Sequence, residues 1–191
     1  MRQILIGIIF IFFNFDLNFG SVKVGLIPAF VGFLFIVKGL DELSVRYPGF
    51  SSIRPFAVGM GFYSAVLYAL DLLTVSARLG YFLVPFGVIA SVISLYISYA
   101  IIREIAVIEQ DRGVDLNSKT LKTIWIFRAV FELCSYAYIL FAPLAIICTV
   151  GGFIVSCCYL VVFRKTVLLY ESMPEPIISG NEEQPDFGES F

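Results

Sequence analysis

Apolar runs bounded by polar or charged residues recur six times along the chain, at roughly 3–19, 24–43, 56–76, 81–102, 121–141 and 143–163. A hydrocarbon core about 30 Å thick needs about 20 helical residues per crossing. The pattern therefore predicts six transmembrane helices. The second to fourth and the sixth runs are the clearest, and Arg128 and Glu132 interrupt the fifth. Residues 121 to 163 together are too long for one crossing. Pro143 is the expected break, because proline lacks the N–H that the preceding turn would receive.

The first run ends in FNFDLNFG, where Phe13, Phe15, Leu17 and Phe19 alternate with Asn14, Asp16 and Asn18. Strict alternation is the signature of a half-buried strand, yet a lone strand in lipid would leave its amides without partners. A helix reaching the outer surface near Asp16 to Phe19 is the expectation, with Asn14, Asp16 and Asn18 among headgroups and a turn at Gly20 and Ser21. The alternative is a short re-entrant dip packed against protein. MRQILIGIIFIFF has the basic start and apolar core of a signal peptide but no small-residue cleavage site, so an uncleaved first crossing is expected.

Composition agrees with the pattern. Of 191 residues 59% are hydrophobic and 15% charged, with a mean hydropathy of +0.92; a water-soluble domain of this length cannot bury so much apolar surface. Lysine and arginine then orient the runs. Arg2, Lys38, Arg46, Arg54, Arg103, Arg112, Lys119, Lys122, Arg164 and Lys165 fall at one set of ends, against Lys23 and Arg78 at the other. Ten against two requires an even number of crossings and places both termini in the cytoplasm. From Glu171 onward the chain has six acids, no base and three prolines, the composition of a disordered tail. The expected fold is an all-α polytopic membrane protein of three helical hairpins over 1–170, followed by an acidic cytoplasmic tail at 171–191.

A weak internal repeat underlies the hairpins. LIPAF, LVPFG and FAPLA open the even-numbered crossings, with Pro28, Pro85 and Pro143 spaced 57 and 58 residues apart. Each preceding crossing has an acid in its distal part: Asp16, Asp71 and Glu132. Gly87, Ser91, Ser94 and Ser98 follow Pro85 at the offsets at which Ala145, Thr149, Gly152 and Ser156 follow Pro143. Small residues on one face let membrane helices approach closely, which is the role expected here. It is also the role expected of Gly25, Gly32 and Gly39, and of the ridge Ala57, Gly61, Ala65 and Ala69.

Candidate chemistry is sparse. Arg128 and Glu132 stand one helical turn apart inside a crossing, where ionisable groups are expensive and are functional candidates by default; a structural ion pair is the competing expectation. Asp71 can pair with Arg78 at the outer interface, or line an outer vestibule with Asp16. Residues 101–116, IIREIAVIEQDRGVDL, carry apolar positions 101, 105 and 108 on one helical face, which reads as a membrane-surface continuation of the fourth helix. Cys134, Cys148, Cys157 and Cys158 lie in apolar runs without a C-x-x-C pair, and the chain has no histidine. No metal, cofactor or nucleophile–base motif is expected, nor is enzymatic activity. Without a basic excess, nucleic acid is not an expected partner.

VGLIPAFVGFLFIVKGLDEL, residues 24–43, resembles a segment of small uncharacterised multi-pass proteins of anaerobic Gram-positive bacteria. There, an N-terminal crossing and a short Asn/Asp-bearing outer turn precede a Leu-Pro-Asp-x-Ile-Gly-Tyr-like helix start. Ile27, Pro28, Val31, Gly32 and Phe33 match in kind, and Ala29 stands where that group has an Asp. The likeness covers about the first 45 residues. It implies a bacterial inner-membrane protein and brings no activity. The expected function is a non-enzymatic membrane component, an accessory or assembly partner of another membrane protein or of a second copy within the lipid bilayer. The alternative is a small transporter or channel using Asp16, Asp71, Arg128 or Glu132.

Overall fold

In the computed structural model the chain is described at residues 1–12, 16–19, 22–25, 28–73, 83–136 and 142–173. These residues are helical except for one two-stranded ribbon, a 3-10 turn and short connections such as 45–47 and 113–117. The six helices are α1 (Arg2–Phe12), α2 (Ala29–Ser44), α3 (Arg54–Leu72), α4 (Leu83–Arg112), α5 (Ser118–Ser135) and α6 (Ala142–Glu171). Among the described residues three stretches, Pro48–Leu72, Pro85–Arg112 and Ile147–Glu171, are long and apolar enough to cross a membrane. Prolines mark the starts. Pro28 stands extended just before α2, and Pro55, Pro85 and Pro143 sit in the first turns of α3, α4 and α6, where the missing N–H costs nothing.

Within the alternating segment, residues 16–19 are not helical. Strand β1 (Asp16–Phe19) pairs antiparallel with β2 (Val22–Gly25), Asp16 opposite Gly25 and Phe19 opposite Val22. The first helix ends at Phe12, 11 residues long, and the second begins at Ala29 rather than at 24. The objection to a strand holds only for a lone one, and here residues 22–25 are its partner. Strand β2 also touches α3.

Helix α1 packs along α2 and α5 along α6, the two most extensive contacts, while α3 packs on α2 much more than on α4. Glycines set the first spacing. A Cβ on Gly7 would lie 2.5 Å from the Gly32 carbonyl oxygen, and one on Gly39 would lie 2.9 Å from the Ile4 nitrogen, so α1 and α2 meet backbone to backbone. Gly32 and Gly39 thus have the packing role expected, whereas Gly25 belongs to the ribbon. On α3, Ala57 is fully buried and Gly61 faces Phe33.

The best-buried core lies at the end that carries most bases. Leu40, Phe50, Ile105, Ile108, Leu116, Leu121 and Phe163 are all fully enclosed. Here α4 runs unbroken for 30 residues, and the apolar face of Ile101, Ile105 and Ile108 joins this core instead of lying on a membrane surface. The α4–α5 turn plugs it. Gly113 and Asn117 both take positive φ, at 63° and 61°. Asp115 accepts the Asn117 amide at 2.8 Å, and Glu109 accepts those of Leu116 and Ser118 at 3.2 and 3.0 Å. The turn drives Leu116 inward, and its carbonyl accepts the buried Thr166 hydroxyl at 2.8 Å.

Candidate functional site: a polar cavity around Arg128 and Glu132

Where α3 packs more on α2 than on α4, a space of about 540 Å³ opens among all six helices. Five small residues expected at helix contacts, Ser91, Ser94, Thr149, Gly152 and Ser156, line it. Their lack of bulk leaves volume where larger side chains would have filled it. Tyr63, Ser64 and Ser135 add further hydroxyls, and Phe33, Met60 and Leu67 supply apolar wall. Gly152 has a second duty, since a Cβ there would touch Phe131 at 3.4 Å, and its neighbour Gly151 lies still closer to that ring.

Arg128 and Glu132 both face this cavity and pair across one turn of α5, Nη2 to Oε2 at 3.4 Å. The arginine side chain is 8% exposed and the glutamate 26%. A guanidinium has five N–H groups and a flat apolar face. Its face covers the Phe12 ring at 4.3 Å, with the Tyr159 ring at 5.9 Å, an arrangement worth roughly 1–2 kcal/mol when desolvated. The contact to Glu132 is single and long, not a forked pair, and both side chains line the cavity. Around them, Ser91 and Tyr136 share a 2.7 Å hydrogen bond that ties α4 to α5, and the Trp125 indole donates to the Leu95 carbonyl at 3.2 Å between the same helices. The cavity can present a cation, an anion and several hydroxyls to one small polar guest.

The structure divides the four residues singled out from sequence. Arg128 and Glu132 meet in the cavity. Asp71 lies in the last turn of α3 and is not part of the lining; its expected partner Arg78 is outside the described residues. Asp16 is in β1, where only its backbone pairing is described. Sequence reading missed that Ser64 and Ser135 join the same wall, since neither stands on a repeated offset. Among the described residues no three His, Cys, Asp or Glu side chains gather as metal ligands would.

The chain matches no family model, no curated protein and no solved structure.

Proposed function

We propose that this chain is a multi-pass integral membrane protein that binds a small polar solute in its core cavity and passes it across the bilayer. The observation that carries the reading is the cavity: about 540 Å³, within the roughly 300–1,000 Å³ range of small-ligand sites. It is an open cleft whose mostly apolar wall carries an ion pair and several hydroxyls. A polar interior of this kind is costly in a membrane unless it serves a guest or a path. Six crossings with both termini cytoplasmic complete the proposal. The three long apolar helices support it, as do outward-facing apolar side chains such as Phe62 (74% exposed) and Val161 (69%), which suit acyl chains and not water. Helix α1 is too short to span alone, and the ribbon that follows it completes that crossing while packed on protein. The bacterial inner membrane is the location that the N-terminal resemblance suggests.

The test is aqueous access. In a cysteine-free background reconstituted in lipid, Ser94→Cys and Thr149→Cys should react with a small water-soluble thiol reagent, while Phe62→Cys, facing lipid, should not. Small charged and zwitterionic solutes are then screened for thermal stabilisation of the wild type that Arg128→Met removes. A cavity that stays unlabelled from either side would be a dry packing gap, and the accessory or assembly role would replace transport.

A further inference from the structure

A second space, about 620 Å³, lies between the end of α4 and the start of α5. Arg103, Lys119 and Lys122 line it, all three exposed and with no ion-pair partner among the described residues. Two acids also line it, but Glu109 is engaged with the amides of Leu116 and Ser118 and Asp115 with that of Asn117. Each carboxylate holds the turn through one oxygen and keeps its charge, so the groove carries three bases against two acids, with no ion pair between them. Three unpaired cations around one concavity point to an anionic guest.

The depth of the groove identifies the guest. A helix that begins at Leu83 completes the roughly 20 residues of a crossing near Ile102, so Arg103 stands where hydrocarbon gives way to headgroups. Lys119 and Lys122 stand at the corresponding level of α5. Tyr99 and Trp125 pack ring on ring at 5.0 Å just on the apolar side, at the height where amphipathic aromatic rings collect in bilayers. We propose that this groove binds the phosphate of an anionic phospholipid headgroup from the cytoplasmic leaflet, with the acyl chains descending past Tyr99 and Trp125. Basic pockets between helices on that side are suited to such headgroups. The site is separate from the solute cavity and rests on the reading that the chain spans a membrane with its basic ends in the cytoplasm.

The full chain, reconstituted in nanodiscs of mixed phosphatidylcholine and phosphatidylglycerol, is released gently and its retained lipids counted by native mass spectrometry. Successful reconstitution itself establishes the membrane reading, so failure of the two claims is distinguishable. The wild type should retain phosphatidylglycerol in preference to phosphatidylcholine. Each of Arg103→Gln, Lys119→Gln and Lys122→Gln should reduce that preference about fivefold, the effect of one base near a charged surface. Arg164→Gln with Lys165→Gln, exposed bases at the end of α6, should leave it unchanged. Equal loss in this control pair would mean a diffuse field and no site, and would overturn the proposal. So would an unchanged preference in the triple groove variant. A third arm adds inorganic phosphate to the protein in neutral detergent. Stabilisation that depends on the three bases and matches that given by phosphatidylglycerol would reassign the groove to free phosphate and overturn the lipid claim.

Discussion

Changing Arg128 and Glu132 singly and together separates a pair that holds the bundle from two groups that merely share a wall. At 3.4 Å and an effective dielectric of about 20, two unit charges attract by about 5 kcal/mol. Desolvation offsets much of this, several kcal/mol per ion being the usual toll in a protein interior. The single long contact and the quarter-exposed glutamate place the net coupling near 2 kcal/mol. The two single changes are not equivalent. Glu132→Gln leaves an amide oxygen beside the guanidinium and keeps its seat on Phe12, so a loss of about 1 kcal/mol is expected, the net worth of one hydrogen bond. Arg128→Met removes the ion pair and the ring contact and strands a carboxylate, costing about 3 kcal/mol, at the low end for breaking a buried pair. The double variant should lose only about 2 kcal/mol and be more stable than Arg128→Met alone, because an uncharged pair needs no partner. Reversible denaturant unfolding in mixed micelles, followed by helical signal, gives the four free energies. Losses that add to within about 0.5 kcal/mol, the scatter of independent sites, would refute the pairing and leave both groups to the cavity.

Two further predictions follow from particular contacts. Gly7→Ala places a methyl 2.5 Å from the Gly32 oxygen and 2.9 Å from the Ile36 nitrogen; backbone cannot swing aside as a side chain can, so α1 and α2 must part at a cost of about 1–3 kcal/mol, read in the same unfolding assay, and wild-type stability would disprove the close crossing. Tyr159→Phe and Thr166→Val should go opposite ways. The Tyr159 hydroxyl is fully buried without a partner among the described residues, so deleting it should be neutral or stabilising, whereas Thr166→Val orphans the Leu116 carbonyl and should cost about 1–3 kcal/mol.

Much about this chain is carried by one-dimensional pattern. Run length and hydropathy depend on residue type alone, and so the long apolar helices and the first-turn prolines Pro85 and Pro143 were legible without coordinates. Glycine spacing likewise foretold that Gly32 and Gly39 would face a neighbour. What required the tertiary structure was anything set by a partner distant in sequence or by the angle between helices. Residues 16–19 read as a helix end until residues 22–25 were seen beside them, because a strand is stable only when another strand satisfies its amides. The face of Ile101, Ile105 and Ile108 has the same periodicity whether it meets lipid or protein, and only Phe50, Leu116 and Phe163 decide for protein. The cavity follows the same logic. Ser91, Ser94, Thr149 and Ser156 are small enough either to clasp two helices or to leave room between them. With α5 packed against both, α4 and α6 stand apart, and the side chains that could have closed a contact instead share a wall with Arg128 and Glu132.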